Sequence, residues 1–484
     1  MHTESNSFLP RSPQISRTHR CRAVVVLLCT VQILVCQPAR AGWRGKAWNE
    51  EKAPGFAPAA VVDPSGNTHI AVYDNDNLVL RHLIVSSQGK FLKTEVVDTN
   101  CGVAPPSIAA DPFGHIHIVY ASSDSPTPKL RYAFFDGKSW TTQEIEDGGS
   151  SASVTLDPSG LPHIANIIPS GVLHHDYYDG TTWVLETTGL NATGYGTSIA
   201  LDNDGAVHVV FTDSTSRALW HAVKTGAGWN ADQIASSPIY QLISPTLAIG
   251  PASDLHVLFL KNGEWEIDYA SYSGATWSNE VVASNANEGS LAIDQQGAPK
   301  VSYTGIDGEP LFYATRGAGG WAAIPIGGKE IPADPIFFST AIALDKAGLP
   351  HIAAQLGPEQ PYFDLIYEAL YEPDLRCGLQ NIAVKQLAGG RFKLSGTRRI
   401  QNYGSLNSRS TRVTSYLSTD ALLDSGDTLL GTQSVGSIAP SRSNNRSFSF
   451  TLASSPSGQF LINSITPPSG DPGIADKVCV ASIP

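Results

Sequence analysis

Asp157-Pro158-Ser159-Gly160-Leu161-Pro162-His163-Ile164 has close relatives at six other places in the chain. In general form the unit is a small-aliphatic-small-aliphatic run followed by D-x-x-G-x-x-H-[IV]. Its Asp falls at Asp63, Asp111, Asp157, Asp202, Asp294 and Asp345, with Gly250 in the fifth place. Successive units are 44 to 51 residues apart and average 47. A fixed period of that size marks stacked supersecondary units or propeller blades. An Asp carboxylate bonds its own backbone two residues on, and the Gly supplies a positive φ, so D-x-x-G is a tight turn.

Two further marks keep the same period. One is an L-x-[YH] strand, as in Leu80-Arg81-His82, Leu130-Arg131-Tyr132, Leu173-His174-His175 and Leu219-Trp220-His221. The other is an aromatic opening a later strand: Phe91, Trp140, Trp183, Trp229, Trp277 and Trp321. Seven turns are thus matched by six such aromatics, and the seventh, Trp48, precedes the first turn. The first strand of the chain supplies what the last unit lacks, which a closed ring needs and an open solenoid does not. Each unit reads as four short strands alternating with period two, with almost no helical periodicity. Four residues before each turn stand Ala59, Ser107, Ser153, Ser198, Thr246, Ser290 and Ala341, all small, as suits innermost strands converging on an axis. The expected fold is all-β, a seven-bladed β-propeller over residues 42–371 closed by the N-terminal strand.

The run Leu130-Arg131-Tyr132-Ala133-Phe134-Phe135-Asp136-Gly137-Lys138-Ser139-Trp140 resembles the LKYAYFDGxxW propeller repeats of secreted bacterial proteins, loosely grouped with sialidase-like (BNR-like) repeats. The resemblance implies the fold and says little about activity, since propellers host many functions. Sialidase chemistry needs an arginine cluster near the axis. Arg44, Arg81, Arg131, Arg217 and Arg316 are not on innermost strands, and the Asp-box of that family is spaced differently.

Residues 1–41 read as an export leader: Arg11, Arg17, Arg20 and Arg22, then an apolar core from Ala23 to Val35, then Ala39-Arg40-Ala41 as a cleavage site. Its removal takes five Arg and one Glu, leaving 27 basic against 43 acidic side chains, a net charge of −16. Such a surface repels phosphate backbones and argues against a nucleic-acid partner. No apolar run outside the leader is long enough for a membrane span. The expected location is secreted, periplasmic or cell-surface. Three Cys remain after cleavage. Cys377 and Cys479, near the two ends of the second domain, are the expected disulfide, and Cys101 reads as a partly buried, inert thiol.

After Glu372-Pro373-Asp374-Leu375 the repeat stops and composition shifts to Ser, Thr and Arg. Asn402-Tyr403-Gly404, Tyr416-Leu417-Ser418-Thr419-Asp420, Asp424-Ser425-Gly426-Asp427 and Ala439-Pro440 resemble the CARDB domain, an Ig-like β-sandwich of bacterial surface proteins. The resemblance implies an adhesion or presentation module over residues 372–484. The chain closes on Val478-Cys479-Val480, without the acidic, Asn-rich end of that family.

Three groups of residues invite a chemical reading. The repeat histidines His69, His117, His163, His208, His256 and His351, with Lys300 in the sixth place, fall one per blade. They read as braces for their own turn Asp rather than as a metal ring. His174 and His175 point to opposite faces of one strand and read as structural too. The face carrying the loops between second and third strands collects Tyr73, Asp74, Asp76, Tyr120, Asp124, Asp213, Tyr303 and Asp307. Aromatic faces flanked by carboxylates suit sugar recognition, although the same aromatics suit interblade core and the same acids suit turns. In the second domain Asp420, Asp424 and Asp427 offer oxygens to Ca²⁺, or form an ordinary acidic turn. No cofactor is required. The resulting expectation is a binding or adhesion protein for an extracellular glycan or surface protein. The alternatives are a polysaccharide hydrolase or lyase working with carboxylates of that face, and a passive scaffold.

Overall fold

The computed structural model describes residues 43–48 and 56–484 other than 75–76, 88, 150, 193–195, 214, 275, 307–309, 318, 327–335, 360–361, 371–374, 403–407, 409, 440–441 and 467–477. The leader at 1–41 and the junction at 371–374 lie outside the described residues. The described chain is all-β, and no helix in it is long and apolar enough to cross a membrane.

Seven four-stranded antiparallel sheets follow the repeat. The first holds Phe56–Val62, Thr68–Asp74, Val79–Val85 and Phe91–Asp98, in sequence order across the sheet. The second holds Ser107–Ala110, Ile116–Ala121, Lys129–Phe135 and Trp140–Asp147. The third holds Ser153–Leu156, Pro162–Ile167, Val172–Tyr178 and Trp183–Asn191. The fourth, fifth and sixth span 197–236, 241–284 and 286–326. The seventh joins Ile336–Leu344, Pro350–Glu359 and Tyr362–Leu370 to the N-terminal strand Trp43–Trp48, with Trp48 opposite Leu365 and Trp43 opposite Leu370.

Each second strand is buried along its length because both of its faces are covered. Alternate residues enter different seams, a seam being the interface between neighbouring sheets. Ile70 and Val72 pack with Leu365 and Tyr367 of the seventh sheet, whereas Ala71 and Tyr73 pack with Ile116, Ile118 and Tyr120 of the second. Five further seams repeat the arrangement, and the contact of the first sheet with the seventh closes the circuit.

The turns form as the spacing predicts. Asp157 Oδ1 accepts from Ser159 N–H and Leu161 N–H at 2.8 Å each, and Gly160 adopts φ 83°. The degenerate fifth repeat keeps the acid by another route. Asp254 supplies the carboxylate to His256, and a Cβ on Gly250 would meet Asp254 Oδ1 at 2.4 Å.

Steric room is only half of why small residues recur on the innermost strands. That strand is a sheet edge, so its outer backbone N–H groups need acceptors. Ser107, Ser153, Ser198 and Ser290 accept from the next sheet at Val154, Ile199, Leu247 and Ile342, at 3.0–3.2 Å. Serine hydroxyls thus stitch neighbouring sheets together beside the axis.

Beyond residue 374 the strands form two more sheets. One holds Leu375–Gln386, Phe392–Asn402 and Ser443–Leu452; the other holds Thr428–Val435, Thr411–Ser418, Phe460–Thr466 and Val478–Ser482. Leu375 and Ile400 of the first meet Val413, Val435 and Ile465 of the second in a common core. A disulfide joins Cys377 to Cys479 across the two sheets, with Cα atoms 5.6 Å apart.

Candidate functional site

The seams carry a repeating polar chain beneath their apolar core. The turn Asp faces the repeat His, the His meets the His or Tyr of the L-x-[YH] strand, and that group lies opposite a carboxylate on the fourth strand. The carboxylate accepts from the indole N–H of the next sheet. In the first seam the chain runs Asp63, His69, His82, Glu95 and Trp140, with contacts of 3.2, 2.8, 3.1 and 3.1 Å. Burial pushes His82 down to about 4, and the His82 hydrogen bond holds Glu95 at about 2. Trp229 donates in the same way to Glu186, Trp277 to Asp232 and Trp321 to Glu280. His69, His208 and His256 therefore brace a carboxylate of their own turn, and His163 bonds His175 instead.

The seam between the second and third sheets breaks this chain twice. Sheet register places Gln143 opposite Tyr132, where Glu95 stands opposite His82 and Glu186 opposite His175. With no carboxylate there, Trp183 Nε1 is buried without a hydrogen-bond partner among the described residues. At the turn, His115 Nδ1 takes Asp111 Oδ2 at 2.7 Å, so His117 Nε2 stands off at 4.0 Å and is also without a partner. His117 is 3% exposed, and burial pushes it down to about 4, so the ring is neutral at physiological pH. Its Nδ1 lies 2.6 Å from the Tyr132 hydroxyl; when that hydroxyl donates, the ring proton sits on Nε2.

A cleft of about 490 Å³ is lined by both of these residues. Phe113, Tyr132, Phe134, Tyr178 and Trp183 wall it, with Asp111, His115, His117, Gln143 and Ser159 as its polar groups. Phe113 is 77% exposed at its rim. In a meandering sheet the first and third turns share one end, so the cleft opens at the end of the D-x-x-G turns. Aromatic walls with a few fixed polar groups are the usual make-up of a small-molecule pocket.

A second cavity, of about 510 Å³, lies on the axis between the innermost strands of all seven sheets. It is lined by hydroxyls and small apolar groups, and Glu288 is the only ionisable group among the described residues that line it. Burial pushes the Glu288 carboxyl up to about 7, against a hydrogen bond from Ser244.

The structure corrects the expected loop-face site. Tyr73, Tyr120 and Tyr303 are 1%, 0% and 6% exposed and belong to the seam cores, so none offers a ring face for stacking. Asp74 is buried and accepts from Arg81 Nε at 2.5 Å and from Asn77. Asp213 accepts from Thr215 N–H and Ser216 N–H in its own turn. Asp124 is exposed and bonded to Asn100. Asp76 and Asp307 lie outside the described residues. Of the described members, Tyr73 and Tyr120 meet only as seam core, and Asp74, Asp124 and Asp213 are each held by partners of their own.

The proposed Ca²⁺ acids are also turn residues. Asp420 accepts from Leu422 N–H, Asp424 from Gly426 N–H and Asp427 from Asp424 N–H, at 2.7–3.0 Å. Carboxylates directed at their own backbone do not converge on an ion. Among the described residues one group of metal-ligand type occurs, Glu146, His174 and Asp176, in the same seam as the aromatic cleft. Of the adjacent pair, His175 brackets His163 and Glu186 in a seam chain, whereas His174 faces this acidic group. Cys101 is fully buried and burial pushes its thiol up to about 12, which makes it inert.

No protein-family model and no curated protein matches the chain. Solved structures do match it. A lectin of Aleuria aurantia in complex with alpha-methyl-L-fucoside aligns at 14% identity and a TM-score of 0.44, over 58% of this chain and 99% of that one. A protein of unknown function from Dyadobacter fermentans aligns at 12% identity and 0.43, over 68% and 99%. An ulvan lyase bound to a glucuronate–rhamnose sulfate unit aligns at 10% identity and 0.49, over 66% and 95%. The site described above rests on the residues of this chain alone.

Proposed function

We propose that the protein is a secreted or cell-surface carbohydrate-binding protein whose ligand enters the aromatic cleft between the second and third sheets. In this reading the seven sheets are the blades of one propeller over residues 42–371, closed by the N-terminal strand. Residues 1–41 are a cleaved leader, and residues 372–484 are an Ig-like, CARDB-like adhesion or spacer module.

The observation that carries the reading is the pair of orphan nitrogens, His117 Nε2 and Trp183 Nε1, inside aromatic walls. A buried donor without a partner costs about 1–3 kcal/mol, a cost that a bound acceptor removes. A pyranose ring provides acceptor hydroxyls on its edge and an apolar C–H face for Phe134, Tyr178 or Trp183.

The test is a glycan-array screen of the wild type and of Gln143→Glu. The variant installs the carboxylate found in four other seams, so Trp183 gains an acceptor while the fold is kept. Saturable binding by the wild type, lost in the variant, is the expected result. Equal binding by both would move the site elsewhere.

A second reading is supported by Glu288, a single carboxyl poised near neutrality on the axis, as a general acid or base needs. Hydrolysis with paired carboxylates is disfavoured there, because only one carboxyl lines the cavity among the described residues. Degradation of a bound polysaccharide that stops in Glu288→Gln would favour a lyase; binding without turnover supports the binding protein.

A further inference from the structure

The same seam departs from its neighbour at the other end of the strands as well. Between the first and second sheets, Asp98 is neutralised by Arg131, whose Nε and Nη2 both lie 2.9 Å from Oδ2, and by the Tyr120 hydroxyl. One step around the ring, register puts Glu146 in the place of Asp98, His174 in that of Arg131 and Asn166 in that of Tyr120. The guanidinium is gone, and a second acid has been added. Asp176 occupies a position held by Ala133, Ala222, Ala270 and Ala314 in four other sheets.

Asp176 is 0% exposed, and no N–H or hydroxyl donor among the described residues bonds either of its oxygens; the group beside it is the Glu146 carboxyl. A buried carboxylate in that state needs a cation or a proton. His174 Nδ1 lies 3.1 Å from Glu146 Oε2 and 4.0 Å from Asp176 Oδ1. One ligand atom from each of the three residues falls within 4.8 Å of the others. A tetrahedral ion with bonds of about 2.0 Å separates its ligands by about 3.3 Å, between the two measured distances. The outer support is already in place. Asn166, fully buried, donates to Glu146 Oε1 at 2.8 Å, and its own Oδ1 is held by Gly149 N–H at 2.9 Å.

We propose that Glu146, His174 and Asp176 form a divalent-metal site buried in the seam between the second and third sheets. One imidazole and two carboxylates select zinc or a similar transition ion over Ca²⁺, which prefers six or more oxygens. Three protein ligands leave a fourth position for water. Because His174, Asp176 and Tyr178 alternate on one face of one strand, the ion also anchors the strand that walls the aromatic cleft.

The site is tested by calorimetric titration of ZnCl2 into the chelator-treated protein, with CaCl2 in parallel. The expected result is one saturable equivalent of Zn²⁺, a raised melting temperature, and weaker Ca²⁺ binding. Asp176→Ala should weaken Zn²⁺ at least a hundredfold, and the alanines at this position in four other sheets favour its folding; the melt of the metal-free variant checks that. His174→Gln provides a second variant with the same expected loss. Absence of saturable Zn²⁺ binding would overturn the proposal and leave Asp176 holding a proton. Zn²⁺ bound equally well by the Asp176→Ala protein would place the ion on other histidines and overturn it too.

Discussion

The two seams flanking the second sheet share a backbone plan and differ in what their side chains leave over. In the first, Glu95 receives His82 and the Trp140 indole, and Asp98 receives Arg131, so the described polar atoms at both ends find partners. In the second, Gln143 faces Trp183 without bonding it, His115 diverts Asp111 from His117, and Glu146 lies beside another acid. The first seam is glue between sheets; the second leaves donors and charges for something that is not protein. A chain whose repeats are mutually consistent marks its functional ground where that consistency fails.

The largest contrast should appear on swapping the two tryptophans for smaller rings. Trp140→Ala removes packing and takes one donor from Glu95, which keeps His82, and a loss of about 3–5 kcal/mol is expected from the transition midpoint in urea. Trp140→Phe keeps most of the packing, and the loss should fall to about 1–3 kcal/mol. Trp183→Phe removes an indole N–H that bonds nothing, so stability should stay within about 0.5 kcal/mol while saccharide affinity falls at least tenfold. Equal destabilisation by the two Phe variants would mean that the second seam is closed glue as well.

Acid should act mainly on the histidines of these chains. Burial pushes His82, His117 and His175 down to about 4, well below the ordinary 6.5. Between those values the unfolded chain binds more protons than the folded one. Stability is therefore complete above about pH 6.5 and lost as the pH falls toward 4, by up to about 3 kcal/mol per residue. Thermal melts from pH 7 to 4 give the slope. His82→Tyr adopts the residue of Tyr269, which also lies opposite a glutamate, Glu280, and should flatten that slope by one residue's share.

Much of this architecture is legible along the chain, because each feature recurs with one period. D-x-x-G predicts the turn, Trp48 predicts the N-terminal strand in the seventh sheet, and the one-per-sheet histidines predict bracing. What period two cannot reveal is whether a strand has one covered face or two. Tyr73, Tyr120 and Tyr303 read as a sugar platform only if one face is open; with both covered they are core. The cleft is hidden for a different reason. It is built from two sheets, so Gln143 and Trp183 are meaningful only as a pair across a seam. The signal lies in the columns of the repeat, where Gln143 stands in place of the Glu or Asp of four other sheets, His115 in place of Asn, Leu, Ala or Asp, and Asp176 in place of the Ala of four other sheets, with Leu83 in the first and Glu368 in the seventh.

His115 offers the smallest and most selective perturbation. In the first and fourth repeats the residue in its place is Asn67 or Ala206, and the turn acid reaches the repeat His: Asp63 to His69 at 3.2 Å, Asp202 to His208 at 3.4 Å. His115→Ala should release Asp111 Oδ2 and let His117 Nε2 donate to it, satisfying one of the two orphan nitrogens inside the protein. Since one hydrogen bond replaces another, stability should change by less than about 1 kcal/mol. Ligand affinity should fall about tenfold through the loss of one donor, measured by titration with whichever saccharide the array identifies. Unchanged affinity would assign recognition to Trp183 and the aromatic walls alone and make the His115–Asp111 contact a local variation of the turn.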